Sequence, residues 1–148
     1  MNRKQTIGID LGGTNVRIGL IEDDRIIKIL TKKISSFAAE EVVINEITEL
    51  VNDLINKNVM GIGIGVPSIV DIEKGIVYEV HNIPSWRKVH LKKIFEDKFR
   101  IPTSVNNDVN CFVLGEKHFG KGRKYRNIVG LAMGTGLGGG IIVNNELI

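Results

Sequence analysis

The first residues in the chain that could do chemistry are a carboxylate, two glycines and a threonine in one short turn. The segment Asp10-Leu11-Gly12-Gly13-Thr14-Asn15 joins two apolar runs that are typical of strands. Glycines in such a turn let backbone N–H groups converge on a phosphate oxygen, and the Thr14 hydroxyl adds a donor. Because a carboxylate repels a bare phosphate, Asp10 fits this turn if it holds Mg²⁺, directly or through water. The alternative is a tight hairpin whose glycines serve only backbone geometry.

A second glycine run, Gly134-Thr135-Gly136-Leu137-Gly138-Gly139-Gly140, also lies between two apolar segments. It contains a formal Gly-x-Gly-x-x-Gly match at positions 134, 136 and 139. A dinucleotide-binding motif needs a helix after the glycines and an acidic residue about 20 positions later. Here a β-branched run follows, and eight residues remain after Gly140. The pattern therefore favours a strand–turn–strand phosphate site over a dinucleotide fold.

A polar segment, Asn106-Asn107-Asp108-Val109-Asn110, stands where a predicted strand ends and a predicted helix begins. The carboxylate of Asp108 could simply cap that helix. It could equally act as a general base, because phosphoryl transfer to a sugar hydroxyl needs a carboxylate within hydrogen-bond reach of that hydroxyl. The neighbouring amides could then bind other hydroxyls of the same ring. Both interpretations remain open from the residues alone.

Composition sets the class of protein in which these segments occur. The chain has 148 residues, of which 43% are hydrophobic and 25% charged, as expected of a globular chain of one domain, or one domain and the start of another. The net charge of +3, without long runs of one sign, gives no argument for a nucleic-acid partner. A single cysteine excludes an internal disulfide framework. Because no apolar stretch approaches 18 residues, we expect no membrane span or secretory signal, and a cytoplasmic protein.

Hydrophobic periodicity predicts an α/β chain in which one supersecondary unit occurs twice. Strands are predicted at 6–11, 16–20, 26–34, 59–66, 101–106, 128–133 and from 141, with a hairpin over 69–80. Helices are predicted at 43–55, 91–99 and 109–118, and a hinge loop at 120–126. A strand, a glycine turn and a second strand occur at 7–21 and again at 128–143. We therefore expect an N-terminal domain over 1–120, and a hinge with the first hairpin of a truncated second domain over 121–148.

Five motifs in this order resemble the N-terminal half of the ROK family of bacterial sugar kinases and sugar-responsive repressors. They are Asp-Leu-Gly-Gly-Thr-Asn-Val-Arg at 10–17, Gly-Val-Pro at 65–67, Asn-Ile-Pro-Ser-Trp at 82–86, Asn-Asp-Val-Asn at 107–110 and the glycine run at 134–140. The resemblance covers essentially the whole chain. It implies a ribonuclease H-like (actin-like ATPase) domain with a mixed central sheet flanked by helices, plus the first β-hairpin of a second such domain. It also implies ATP, Mg²⁺ and a hexose bound between domains.

The resemblance also implies a site, carried over by position. The ATP- and phosphate-binding residues are Asp10, Gly12, Gly13, Thr14, Asn15, Gly134, Thr135, Gly136, Gly138 and Gly139, with Asp10 at the magnesium ion. The sugar-binding residues are Gly65, Asn82, Asn107 and Asp108, with Asp108 as the catalytic base. The chain departs from the family pattern at Ser68, where the family usually has glycine. The family's Glu-x-Gly-His sugar motif and cysteine-rich zinc motif have no counterpart in these 148 residues, so zinc is not predicted.

The expected function is ATP-dependent phosphorylation of a hexose or hexose derivative by a longer, homo-oligomeric enzyme, of which residues 1–148 alone are inactive. Its partners would be a sugar and ATP, without membrane or nucleic acid. The main alternative is a sugar-sensing transcriptional regulator of the same family, and another is a binding half without activity. Such regulators usually carry a helix-turn-helix segment before the first glycine motif. Only six residues precede Ile7 here, which, together with Asp108, favours the kinase.

Overall fold

The protein folds into strands and helices whose computed structural model describes residues 4–134 and 136–148. The strands are β1 (Gln5–Leu11), β2 (Asn15–Glu22), β3 (Arg25–Lys33), β4 (Val59–Val66), β5 (Ile69–Asp71), β6 (Ile76–Tyr78), β7 (Lys88–Val89), β8 (Thr103–Asn107), β9 (Ile128–Met133), β10 (Leu137–Val143) and β11 (Glu146–Leu147). The helices are α1 (Glu40–Asn52), α2 (Leu91–Phe99) and α3 (Asp108–His118), and a short 3-10 helix (Lys121–Lys124) follows α3.

Five strands form a mixed central sheet in the order β3-β2-β1-β4-β8. Strands β1, β2 and β3 make an antiparallel meander, whereas β1, β4 and β8 run parallel. The carboxyl ends of those three parallel strands therefore meet at one edge of the sheet. That edge holds Asp10, one residue before the end of β1, Pro67, directly after β4, and Asn107, the last residue of β8. It is the position at which open α/β sheets bind ligands.

One face of the sheet carries the main core because apolar and small or polar residues alternate along its strands. Ile7, Ile9 and Leu11 of β1 are buried together with Val43, Ile47 and Val51 of α1 and with Phe95 of α2. On the other face, Gly19, Gly8 and Gly63 lie side by side on β2, β1 and β4. Helix α3 contacts β4 and β8, and its residues Cys111, Leu114 and His118 line an apolar groove of about 660 Å³ over the glycines.

Helix α3 also packs against a separate three-stranded sheet, β9-β10-β11. Val109 and Val113 of α3 form a second buried cluster with Ile142 of β10. The outer face of the same hairpin is apolar and exposed at Val129, Leu131, Met133, Leu137, Ile141 and Val143. The helix is therefore shared between the central sheet and the second sheet.

The predicted fold class is confirmed, with differences at several element ends. Helix α1 ends at Asn52, since Asp53 already caps it and the next residues turn. The segment 120–126, predicted as a hinge loop, contains the 3-10 helix. Strand β10 begins at Leu137 and not near 141, because three glycines pair with β9 as regular strand residues. The domain boundary near residue 120 stays a prediction. No helix in residues 4–134 and 136–148 is long and apolar enough to cross a membrane.

Candidate functional site

A cleft of about 940 Å³ opens at the carboxyl edge of the central sheet, between this edge and the β9–β10 turn. It brings together many of the predicted site residues: Gly12, Gly13, Asn82, Asn107, Asp108, Gly134, Gly136, Gly138 and Gly139. Asp10, Thr14 and Asn15 line a neighbouring cavity of about 320 Å³, and Gly12 and Gly13 form the wall between the two. Thr135 lies outside the described residues.

The first glycine turn is held by backbone and side-chain hydrogen bonds from both sides. The Gly12 N–H donates to the Asn15 carbonyl at 2.9 Å, and the Ser36 hydroxyl donates to the Gly13 carbonyl at 2.7 Å. Neither glycine has a positive φ. Gly13 is required by close approach, because a Cβ atom there would lie 2.5 Å from Cβ of Asn82. The turn and the Asn82 loop are thus in direct contact.

Asn82 reaches the cleft on a loop anchored by buried side chains. Ile83 and Trp86 are fully buried. The Val80 N–H donates to the Trp86 carbonyl at 3.0 Å, and the Ile83 N–H donates to the Val80 carbonyl at 2.9 Å. The buried pair fixes the loop, so Asn82 itself stays exposed beside Gly13. Trp86 is therefore a core residue.

Asn107, and not Asp108, is the N-cap of α3. Its Oδ1 accepts from the N–H groups of Val109 at 2.9 Å and Asn110 at 3.3 Å. This is the standard N-cap arrangement, in which a side-chain oxygen satisfies the free donors of the first turn. Asp108 is the first helical residue, and its Oδ1 also accepts from Val109 at 2.9 Å. The helix does not need Asp108 as its cap.

Burial raises the pKa of Asp108 above its ordinary value, and the nearby negative charge of Asp10 raises it further, whereas the Val109 N–H lowers it. A raised pKa brings a carboxylate closer to the range in which general bases work at neutral pH. Burial also raises the pKa of the Cys111 thiol, as do the carboxylates of Asp108 and Asp10. Cys111 is therefore a protonated packing residue beside the site.

Gly65 does not line the cleft; it lies under the start of α3. A Cβ atom at this position would be 3.4 Å from Cα of Asp108 and 3.5 Å from Sγ of Cys111. These are ordinary contact distances, so alanine fits here, and only a longer side chain would press α3 away from β4. Gly65 thus acts on Asp108 through packing in this structure, and a contact between Gly65 and a sugar stays a prediction.

The second glycine run divides into two functional parts. A Cβ atom at Gly138 would lie 2.5 Å from Cγ2 of Val109, and one at Gly140 would lie 3.2 Å from the Val109 carbonyl. These glycines let β10 pack closely on α3. Among the described residues, a Cβ atom at Gly134 or at Gly136 would meet no atom within 4 Å apart from its chain neighbours, so these two positions leave room for a ligand.

We expect Gly138→Ala to destabilise the 148-residue chain by about 1–3 kcal/mol, because the methyl group would overlap the stiff Val109 side chain. Gly139→Ala is the matched control, since its methyl group would meet Leu131 at an ordinary 3.6 Å. Urea unfolding of both variants and the parent measures the difference. Equal stabilities for the two variants would contradict a packing role for Gly138.

Three residues at the site have roles that the sequence does not predict. Ser36 holds the first glycine turn, and Ser68 and Glu79 line the cleft. No periodicity or motif distinguishes them, because their roles arise from hydrogen bonds between segments far apart in sequence. The departure from the family pattern at Ser68 was the one signal that the sequence offered.

The cavity of about 320 Å³ beside the first glycine turn has a donor suited to Mg²⁺, but it does not have a full set of protein ligands. Asp10 is exposed next to the glycine turn and lines that cavity with Thr14. The described residues hold no group of three or more His, Cys, Asp or Glu side chains that could bind a metal. Mg²⁺ commonly uses one or two carboxylates together with phosphate oxygens and water. Asp10 suits such a shared site.

Comparison with known proteins gives one family for the whole chain. The sequence model of the ROK family matches residues 6–148. The glucokinase of Thermotoga maritima is 38% identical over 150 residues, which cover 100% of this chain and 47% of the relative. The xylose repressor of Caldicellulosiruptor bescii is 43% identical over 91 residues, which cover 62% of this chain and 23% of the relative.

The fold also matches a solved enzyme complex. A ROK family glucokinase from Streptomyces griseus, solved with glucose and AMPPNP, superimposes with a TM-score of 0.86 at 32% identity. The match covers 97% of this chain and 46% of that one. The chain thus spans about half the length of the glucokinases that it matches.

Proposed function

The chain belongs to the ROK family and has its actin-like ATPase fold, and we propose that it forms the sugar-binding half of an ATP-dependent hexose kinase. The activity is proposed for the whole protein of ROK length that contains residues 1–148. One observation carries the proposal. The cleft holds Asp108, a carboxylate with a raised pKa, together with the amides of Asn82 and Asn107 and the glycines Gly134 and Gly136.

Each group around the cleft has a separate task in the proposed reaction. A sugar hydroxyl donates its proton to the Asp108 carboxylate while its oxygen attacks the terminal phosphorus of ATP. The bond from that phosphorus to the bridging oxygen of the β-phosphate breaks, and ADP leaves with the electron pair. The Asn107 and Asn82 amides hold other hydroxyls of the sugar and so orient the attacking one. Because Gly12, Gly13 and Gly134 carry no side chain, the phosphates of ATP approach the backbone closely there and accept hydrogen bonds from N–H groups that the turns leave unpaired.

Asp10 is the residue that would hold Mg²⁺ beside those phosphates. The bound ion would neutralise phosphate charge during transfer. The single carboxylate of Asp10 and the exposed position of this residue support a site completed by phosphate oxygens and water. ATP binding is supported by the Streptomyces griseus glucokinase, which was solved with AMPPNP.

We also propose that residues 121–148 begin a second domain. Strands β9, β10 and β11 form a sheet of their own, with its own buried cluster against α3. The exposed apolar outer face of β9–β10 supports the same proposal, because strands that are apolar on both faces belong to the interior of a larger sheet layer.

A sugar-sensing regulator is the second candidate, and the match to a xylose repressor favours it. A regulator would need the Asn82 and Asn107 amides to bind a sugar, but it would not need a general base. The placement of Asp108, freed from the capping role by Asn107, favours the kinase.

The test is sugar-dependent ADP release by the whole protein with ATP, Mg²⁺ and a panel of glucose, mannose and N-acetylated amino hexoses. The kinase proposal expects stoichiometric ADP and phosphorylated sugar with at least one of them. Sugar binding without ADP release, together with sequence-specific DNA binding, would support the regulator instead.

The pH profile of this activity should depend on Asp10. A general base works only when ionised, so kcat/KM should fall as the pH falls through the raised pKa of Asp108. In kcat/KM for ATP, which reports the enzyme before ATP and its Mg²⁺ bind, Asp10→Asn removes one negative charge that raises this pKa, and the acid limb should move to lower pH. Asp24→Asn, in the exposed β2–β3 turn, is the matched control and should leave the limb in place. An acid limb that does not move in Asp10→Asn would show that the two carboxylates do not interact.

A further inference from the structure

Ser68 connects two walls of the cleft that are distant in sequence. It follows Pro67 directly after β4, is half-buried and lines the cleft. Its N–H donates to the Val66 carbonyl at 2.9 Å in a tight turn. The residue has no positive φ, so the backbone here does not require glycine. What the serine adds is its hydroxyl.

The Ser68 hydroxyl contacts the end of β6. It shares its one proton between the carbonyls of Tyr78 and Glu79, the latter at 3.1 Å. Glu79 has a φ of 45°, a left-handed conformation that non-glycine residues adopt at a cost. Its N–H is also held, at 3.2 Å from the Arg87 carbonyl. The hydroxyl therefore helps to fix a strained residue whose side chain is exposed at the cleft.

The Ser68 carbonyl contacts Asn107, on the side of the cleft formed by the start of α3. It accepts from Nδ2 of Asn107 at 3.2 Å. Because Oδ1 of Asn107 caps α3, the amide is held at both ends and its orientation is determined. One N–H of that amide remains for a ligand. Thus one residue bonds to the Glu79 backbone through its hydroxyl and to the Asn107 side chain through its carbonyl.

We propose that Ser68 is a positioning residue for sugar recognition. Through its two contacts it sets the distance between Glu79, on one side of the cleft, and Asn107 and Asp108, on the other. The inference rests on the proposed kinase function. Removing the hydroxyl should release the Glu79 segment and let the Ser68 turn, and with it the Asn107 amide, shift. Sugar affinity should suffer, whereas ATP contacts at the glycine turns should not.

The test compares Ser68→Ala with Ser68→Thr in the whole protein, using the hexose that the wild type turns over. For Ser68→Ala we expect the KM for sugar to rise about tenfold, as for the loss of one net hydrogen bond, with kcat and the KM for ATP within about twofold of wild type. Ser68→Thr keeps the hydroxyl and should restore most of the sugar KM. Ser104→Ala, an exposed serine on β8 away from the cleft, is the matched control and should change nothing.

A second readout, the amide resonances of the residues that Ser68 contacts, measures the structural change directly and does not depend on activity. In the 148-residue chain, the side-chain amide resonances of Asn107 and the backbone amide of Glu79 should shift together in Ser68→Ala. A sugar KM that stays unchanged, or resonances that do not move, would overturn the inference. A wild type that phosphorylates no hexose in the panel would instead overturn the proposed function, and the positioning role with it.

Discussion

Asp108→Asn in the whole protein is expected to lower kcat by about 100- to 10,000-fold and to leave sugar affinity nearly unchanged. An asparagine at this position keeps the size of the side chain and the oxygen that accepts from the Val109 N–H. It cannot accept a proton from a sugar hydroxyl. Steady-state kinetics with varied sugar, together with calorimetric sugar binding, measure both expectations.

The matched control for this change is Asp97→Asn. Asp97 lies on the exposed side of α2, where it pairs with Lys93 at 2.7 Å. A single exposed pair contributes little to stability, so this variant should keep full activity. If Asp108→Asn were to retain near-normal turnover, Asp108 would serve α3 alone and the cleft would lack its base.

Gly13→Val should reduce activity at least about 100-fold. The valine side chain would displace the phosphate turn and the Asn82 loop, and a misplacement of about 1 Å between reacting groups can cost about 100-fold in rate. The physical cause is crowding and not backbone strain, since Gly13 has no positive φ. Its Cβ atom would overlap the Asn82 side chain. We therefore expect a higher KM for ATP and weaker sugar binding in the same variant, measured by initial rates and by calorimetry.

A double-mutant cycle with Asn82→Gly, which removes Cβ and the rest of the side chain, separates crowding against Asn82 from the approach of phosphate. If the overlap with Asn82 is the cause, Gly13→Val should cost less in ATP affinity when Asn82 is already glycine. Additive losses would show instead that Gly13 must be glycine for the approach of phosphate itself. Gly63→Val, at a strand position with open space around it, serves as the folding control in the 148-residue chain.

Much of the fold could be predicted because hydrophobic alternation and the spacing of apolar residues determine it locally. Ile7, Ile9 and Leu11 alternate with Gly8 and Asp10, and this pattern alone indicates a strand with one buried face. The start of β10 could not be predicted in this way. Gly138 and Gly140 resemble loop residues in the sequence, and only the approach of α3 explains why a strand needs them there.

The site was predictable where a motif identifies it and unpredictable where tertiary contacts define roles. The segment 106–110 was recognisable, but its capping residue was not. Only the geometry of α3 distinguishes Asn107 as the cap from Asp108 as the first helical residue. Similarly, Gly65 belongs to a motif, yet its neighbour is α3 itself. Ser68 and Glu79 meet across the sequence through hydrogen bonds that no local pattern encodes.

The central claim is that Asp108 is the base for phosphoryl transfer from ATP to a bound sugar. A single-turnover rapid-quench experiment tests it most directly, because it follows transfer of the labelled γ-phosphate without interference from product release. We expect the whole protein to transfer the label to sugar, and Asp108→Asn to slow this step by about 100-fold or more with sugar still bound. Equal single-turnover rates in the two proteins would contradict the claim.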